Sequence, residues 1–135
     1  MAIFATETFA ICLSFSINFN KIMNIAIVGA TGNVGRKILE VLEKKELAID
    51  NLYLLASSRS AGSKINFNGN EHEVIDLDTF DFSKVKISFF AAGGKISENF
   101  AEIAAKHSLV IDNSSFYRMD PDVPLIVPQV NSDHL

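Results

Sequence analysis

Three glycines, in the run Gly29-Ala30-Thr31-Gly32-Asn33-Val34-Gly35, follow the apolar residues Ile25-Ala26-Ile27-Val28 and precede an amphipathic stretch. A strand that turns through glycines into a helix gathers unpaired backbone N–H groups and the positive end of the helix dipole at one point, which makes an anion site. A dinucleotide pyrophosphate suits such a site. Gly29 then lets the chain turn, Gly32 lets backbone approach phosphate without a Cβ in the way, and Gly35 lets the helix pack close on the strand. The spacing is G-x-x-G-x-x-G, a variant of G-x-G-x-x-G. A glycine trio alone also fits a plain strand-to-helix turn; the strand before it and the helix after it are what favour nucleotide binding.

A second clue stands at the end of the next strand. An Asp or Glu there would hydrogen-bond a ribose 2′-hydroxyl and repel a 2′-phosphate. The chain offers Ala56-Ser57-Ser58-Arg59-Ser60-Ala61-Gly62-Ser63 instead, and Asp50 is at the wrong end of the strand. A guanidinium among small hydroxyl residues suits a dianionic 2′-phosphate through bidentate, charge-assisted hydrogen bonds. A solvated loop that happens to carry an arginine is the plainer reading; beside the glycine loop, NADP is favoured over NAD.

These residues need elements to hold them, and the pattern beyond Met23 alternates strand with helix. Strands are expected at Asn24 to Val28, Leu52 to Ala56, Ile87 to Ala91 and Leu109 to Ile111, and the uniformly apolar second one reads as buried on both faces. Helices are expected at Val34 to Lys45, with Val34, Ile38, Val41 and Leu42 on the apolar side, and at Ser97 to Lys106. Asn68-Gly69, between Lys64-Ile65-Asn66-Phe67 and Glu71-His72-Glu73-Val74, signals a hairpin. The alternation implies an α/β fold, a Rossmann-like, doubly wound and mostly parallel sheet in a single domain.

Composition agrees with that and narrows the partners. The chain has 135 residues, is 48% hydrophobic and carries a net charge of −4, which suits one domain and recommends no nucleic acid. Its single cysteine, Cys12, excludes an internal disulfide and a cysteine-rich zinc site, and a reducing cytoplasm is the natural setting. His72, His107 and His134 share no metal-ligand spacing, so no metal is expected. Residues 1–22 differ from the rest: Ile11 to Asn20 alternate strictly between apolar and small or polar residues, which is strand periodicity. Glu7 is the only charge before Lys21, so this is no signal peptide, and the apolar part is too short to span a bilayer. The segment reads as an N-terminal appendage to a domain over residues 23–135, dispensable for the nucleotide fold.

A glycine loop does not name a reaction. Extended short-chain dehydrogenases share it but need Tyr-x-x-x-Lys, and here Ser57 follows Tyr53 and Pro121 follows Tyr117 at that spacing. The order of four motifs is more telling: the Gly29-to-Gly35 loop, Leu54-Leu55-Ala56-Ser57-Ser58-Arg59-Ser60-Ala61-Gly62, Phe89-Phe90-Ala91-Ala92-Gly93-Gly94, and Val110-Ile111-Asp112-Asn113-Ser114-Ser115-Phe116-Tyr117-Arg118, followed by Pro121 to Asn131. From Met23 onward the chain resembles the amino-terminal, NADP-binding part of the aspartate-β-semialdehyde dehydrogenases. N-acetyl-γ-glutamyl-phosphate reductases share the glycine loop but not the Asp112-Asn113-Ser114-Ser115 run. Gln129 stands where that family usually has glutamate.

The resemblance implies reversible reductive dephosphorylation of β-aspartyl phosphate to the semialdehyde, an oxidoreductase step of amino-acid biosynthesis with NADPH giving hydride. It implies that Gly29, Thr31, Gly32, Asn33 and Val34 line the pyrophosphate; that Ser57, Arg59 and Ser60 hold the 2′-phosphate; and that Ala92 and Gly93 flank the dinucleotide. Arg118, with Asn113 beside it, would hold an acyl phosphate or inorganic phosphate; pairing of Arg118 with Asp120 or Asp122 in a turn is the plainer reading. The family's cysteine thiolate and histidine fall beyond the matched segment, so the catalytic residues in this chain number none. Cys12 lies before the fold and has no basic neighbour to lower its pKa. The expectation is a cofactor-binding half of an enzyme, a fragment or split-gene product that works with a carboxy-terminal catalytic half or as a homodimer in a full-length form. A stand-alone NADP-binding module, or a decayed remnant without turnover, is the rival reading.

Overall fold

The computed structural model of the chain describes residues 2–4, 23–45 and 47–131. The expected alternation at Ile11 to Asn20 lies outside these residues, as do Cys12 and His134. Eight strands form one sheet: β1 (Ala2–Phe4), β2 (Met23–Val28), β3 (Ile49–Ala56), β4 (Lys64–Phe67), β5 (Asn70–Asp76), β6 (Ile87–Phe90), β7 (Leu109–Asp112) and β8 (Leu125–Ile126). Their order across the sheet is β4-β5-β3-β2-β6-β7-β1-β8. Every pairing is parallel except β4 with β5. That is the doubly wound architecture expected from the alternating pattern.

The exception is the expected hairpin. Asn68 and Gly69 sit at φ +50° and +78°, the paired positive values that a tight two-residue turn requires and that Asn-Gly supplies at least strain. β5 then turns its other edge to β3, with Leu54, Leu55 and Ala56 opposite Val74, Ile75 and Asp76. The hairpin is thereby stitched to the main sheet.

Helix α1 (Asn33–Lys44) leaves β2 on one face of the sheet, and α2 (Gly94–Ala105) leaves β6 on the other. In α1 the buried residues are Gly35, Ile38, Leu39 and Leu42, one stripe at helical spacing. Ile38, Leu39 and Leu42 pack on Ile25, Ile27, Leu54 and Phe89, each buried side chain contributing about 1.5–3 kcal/mol. Alternate residues of the same strands, Ala26, Val28, Leu55 and Phe90, cluster with Val110 of β7 and with Ala101 and Ala104 of α2. No helix crosses from β5 to β6. Two 3-10 turns, Leu77–Thr79 and Phe82–Lys84, make that passage, capped by the carboxylates of Asp76 and Asp81. Backbone and side-chain hydrogen bonds from Ser83 hold the Asp81 carboxyl below its usual range. Tyr53, Phe80, Phe82 and Phe90 cover the sheet there in a chain of ring contacts, with centroids 5.2 to 6.2 Å apart.

Several boundaries differ from expectation. α2 begins at Gly94 rather than Ser97, because Gly93, at φ +89° and ψ 167°, ends the preceding loop in a conformation that only glycine adopts freely. β3 starts at Ile49, so Asp50 lies inside the strand, still at the end remote from the glycine loop. Its burial is confined to Leu54, Leu55 and Ala56, so the strand is not buried along its whole length as expected. The first residues of the expected appendage form β1, a strand between β7 and β8. The short α3 (Pro128–Asn131), which includes Gln129, closes the described chain.

Candidate functional site

The loops that leave β2, β3, β6 and β7 emerge at one end of the sheet. β2 and β6 are neighbours whose following helices go to opposite faces, so a crevice opens between the two loops at the reversal of strand order, the place where such sheets take ligands.

Gly29 opens the first loop at φ +87°. Its amide and that of Ala30 both donate to the Leu55 carbonyl, at 2.8 and 3.1 Å, which pins the loop to β3. A Cβ on Gly29 would stand 2.9 Å from the backbone of Ala91 and Ala92, so the position is closed by the β6 loop as well as by its own dihedral. Gly35 is closed for a different reason. Its Cβ would stand 2.2 Å from the Gly29 carbonyl oxygen and 2.8 Å from Ala30 Cα. Helix α1 therefore sits directly on the loop it leaves, as the spacing suggested. Gly32 has an ordinary φ of −78° and room for a Cβ 3.4 Å from the Gly29 carbonyl.

Gly32 is also the N-cap of α1 and offers no side chain to cap it. The amides of Asn33 and Val34 donate to nothing among the described residues, and Gly32 and Asn33 are exposed. Arg36 reaches back with Nε to the Thr31 carbonyl, 3.2 Å away, and holds the loop over the helix start. α2 repeats the arrangement: Gly93 is its N-cap, again without a capping side chain, and Ala92 and Gly93 are exposed. Two helix starts with free amides thus flank the crevice. Each favours a negative group.

The loop after β3 is wound tightly. Ser60 and Ala61 donate to the Ser57 carbonyl, Ser63 Oγ donates to the Ser60 carbonyl at 2.7 Å, and Gly62, at φ +81°, donates to Val74. Arg59 is exposed on this turn, with no ion pair or hydrogen bond among the described residues. Sequence reasoning overlooked one nearby acid, Asp76, which ends β5 opposite Ala56. Its carboxylate turns into its own chain and accepts from the Asp78 amide.

The loop after β7 rests on a carboxylate that was part of a motif but not singled out. Asp112 is fully buried and accepts from the Ser114 amide at 2.7 Å and the Ser114 hydroxyl at 3.0 Å. Ser114 Oγ in turn accepts from the Phe116 amide. Asn113 is tied to β6 through its amide and the Phe90 carbonyl. Phe116 Cβ lies 3.6 Å from where a Cβ on Gly94 would be, so this loop abuts the start of α2. Arg118 follows in the next turn, exposed and with no ion pair to Asp120 or Asp122; Asp120 accepts from the Asp122 amide instead. Burial raises the Tyr117 phenol, and the carboxylates of Glu102 and Asp112 add to the effect. Among the described residues no cluster of His, Cys, Asp and Glu could hold a metal, and no helix is long and apolar enough to cross a membrane.

The family described as semialdehyde dehydrogenase, NAD binding domain, matches residues 24–135. The chain belongs to that family. It is 49% identical over 111 residues to the aspartate-semialdehyde dehydrogenase of Shewanella sp. (strain DB6705), an alignment covering 82% of this chain and 33% of the relative. Aspartate-semialdehyde dehydrogenase 2 of Vibrio cholerae is 50% identical over 111 residues, with the same coverage of each chain. The crystal structure of aspartate semialdehyde dehydrogenase II from Vibrio cholerae, complexed with ASA, superposes with a TM-score of 0.80 at 48% identity, covering 84% of this chain and 37% of that one. The chain therefore spans about a third of the length of the curated relatives it matches. As a member of this family it carries a semialdehyde dehydrogenase NAD-binding domain, and the matched segment lies in that domain alone.

Proposed function

We propose that this chain is the NADP-binding portion of an aspartate-semialdehyde dehydrogenase, holding the dinucleotide for the interconversion of β-aspartyl phosphate and the semialdehyde. The observation that carries the reading is the joint at Gly29. The glycine loop is pressed against Ala91 and Ala92 so closely that a Cβ would clash, and two uncapped helix starts flank the crevice beside it. Such a cradle fits a pyrophosphate.

In this reading Gly29, Thr31, Gly32, Asn33 and Val34 hold the pyrophosphate with backbone amides, and Ala92 and Gly93 form the opposite wall. Ser57, Arg59 and Ser60 take the 2′-phosphate; the absence of an ion pair on Arg59 among the described residues leaves its guanidinium available. Arg118 and Asn113 receive the acyl phosphate or inorganic phosphate, on a loop steadied by Asp112 and Ser114. When bound, the cofactor supplies or accepts hydride. The thiolate and the acid–base group come from a carboxy-terminal part that this chain does not contain.

Isothermal titration tests the cofactor reading. NADP binds more tightly than NAD, and Arg59→Ala removes most of the difference. A charge-assisted hydrogen bond contributes about 1.5–3 kcal/mol, and because Arg59 is exposed the lower end applies, a ratio of roughly tenfold. Equal affinities of the unmutated chain for the two dinucleotides would refute the choice of NADP.

A further inference from the structure

β8 has two residues, and its only strand partner among the described residues is β1. β7 flanks β1 on the other side. Ala2 stands opposite Ile111, Ile3 opposite both Asp112 and Leu125, and Phe4 opposite Ile126. All three strands are parallel. Neighbouring strands are about 4.8 Å apart, so β7 and β8 frame a slot one strand wide. Left vacant, it would strand the facing N–H and C=O groups of both strands next to Ile126, which is fully buried. Such a slot demands an occupant.

The family match begins at residue 24, so it takes in β7 and β8 and leaves out β1. A second observation lies beside the slot. Of the six large apolar side chains exposed among the described residues, Phe116, Met119, Leu125 and Val130 belong to the stretch that follows β7 and contains β8. Exposed apolar side chains concentrated in one stretch of chain in this way mark a surface that another body covers.

We propose that the slot between β7 and β8 is a strand-acceptor site for the carboxy-terminal portion of a semialdehyde dehydrogenase, and that β1 is a built-in surrogate that excludes that strand while it is seated. The occupant is defined by what it must replace: an extended, uncharged, apolar segment of at least three residues entering parallel to β7, as Ala2-Ile3-Phe4 does. This inference rests on the reading of the chain as one portion of a longer enzyme. It gives Ala2–Phe4 a role opposite to that of a dispensable appendage, since removing β1 vacates an interior position of the sheet.

Ile3→Pro in the full chain is the perturbation, because proline at the doubly paired residue removes an N–H and cannot sit in an interior strand. Amide exchange at Leu125 and Ile126 then accelerates at least tenfold, while Ile25 to Val28 stay protected. A fluorescent peptide with the sequence of residues 1–10 binds the variant at least tenfold more tightly than the unmutated chain, and at least one of a set of overlapping ten-residue peptides from the part of the Vibrio cholerae enzyme carboxy-terminal to the matched region displaces it. Equal binding of the peptide to both chains, failure of the displacement, or loss of protection at Ile25 to Val28 would each overturn the proposal. NADP titrations on the same samples keep the two readings apart: a chain that passes the displacement test without binding NADP refutes the cofactor assignment alone.

Discussion

Replacing Gly35 with alanine sets two effects of known sign against each other. In an isolated helix the change gains about 1 kcal/mol, because glycine is the poorer helix former. Here the new Cβ meets the Gly29 carbonyl oxygen at 2.2 Å and Ala30 Cα at 2.8 Å, both backbone atoms of a loop pinned to β3 by two hydrogen bonds. No side chain can swing away, so the helix start must rise by about 1 Å to restore an ordinary contact of roughly 3.3 Å. Overpacking of this kind costs about 1–3 kcal/mol and more where the backbone is the obstacle. With backbone as the obstacle the upper end of that range applies, so after the helix gain the net loss is about 2 kcal/mol, or roughly 8 °C in the melting temperature of a domain of this size. Displacing the Asn33 and Val34 amides by that distance also weakens NADP binding, because the helix-start amides no longer meet the pyrophosphate at hydrogen-bond distance. Gly32→Ala is the control, since its Cβ has 3.4 Å of room and its φ is ordinary. Its melting temperature stays within about 2 °C of the unmutated chain, while its affinity for NADP falls. Differential scanning calorimetry and NADP titration read both effects. A Gly35→Ala chain as stable as the Gly32→Ala chain would refute the argument that α1 rests on the loop.

Glu40 is held between Lys37 and Lys44, at 2.8 and 2.6 Å, and hydrogen bonds to the two lysines draw its carboxyl from the ordinary 4.5 down to about 2. Because the folded-state pKa is the lower one, the stabilisation is full above pH 4.5 and fades as pH falls towards 2; carboxyl NMR titration shows the depressed midpoint, and 1 M salt returns it upward because the pairs are exposed. Asp112→Ala removes both bonds that hold Ser114 and lowers stability by about 3 kcal/mol. Asp112→Asn keeps one acceptor and loses about half as much by thermal melting. The chain alone, saturated with NADP, produces no NADPH from aspartate semialdehyde and phosphate, and neither does Cys12→Ser. Turnover abolished by that serine would show instead that Cys12 reaches the site.

The elements legible in the sequence were those with a period or a turn chemistry. Ile25 to Val28 before three glycines gave a strand, a turn and a helix, and the structure places Gly29 at positive φ and Gly35 in close contact, as their spacing suggested. Asn68-Gly69 gave its hairpin for the same reason. Two-residue β8 and three-residue β1 were not legible, because so short a strand has no periodicity to read. The passage from Leu77 to Lys84 has no helical stripe, and its capping acids, Asp76 and Asp81, look like ordinary loop residues until the turns are seen. Leu39 was overlooked although it completes the α1 stripe with Ile38 and Leu42. At the site, the glycine loop was visible as a local pattern. Its contact with Ala91 and Ala92 joins residues some sixty positions apart and could only come from the folded sheet.

The passage from β5 to β6 has a mechanical consequence. Phe80 and Phe82 stand in for a helix there, and rings held edge to face interlock by shape, without the repeating ladder of bonds that lets a helix fray one turn at a time. Such a clasp is closed or open, with little between. When Phe82 leaves Phe90, the apolar side chains clustered with them, Ala26, Val28 and Leu55 among them, lose a packing partner. Leu55 is also the residue whose carbonyl holds the Gly29 and Ala30 amides, so the clasp and the glycine loop lean on the same strand position.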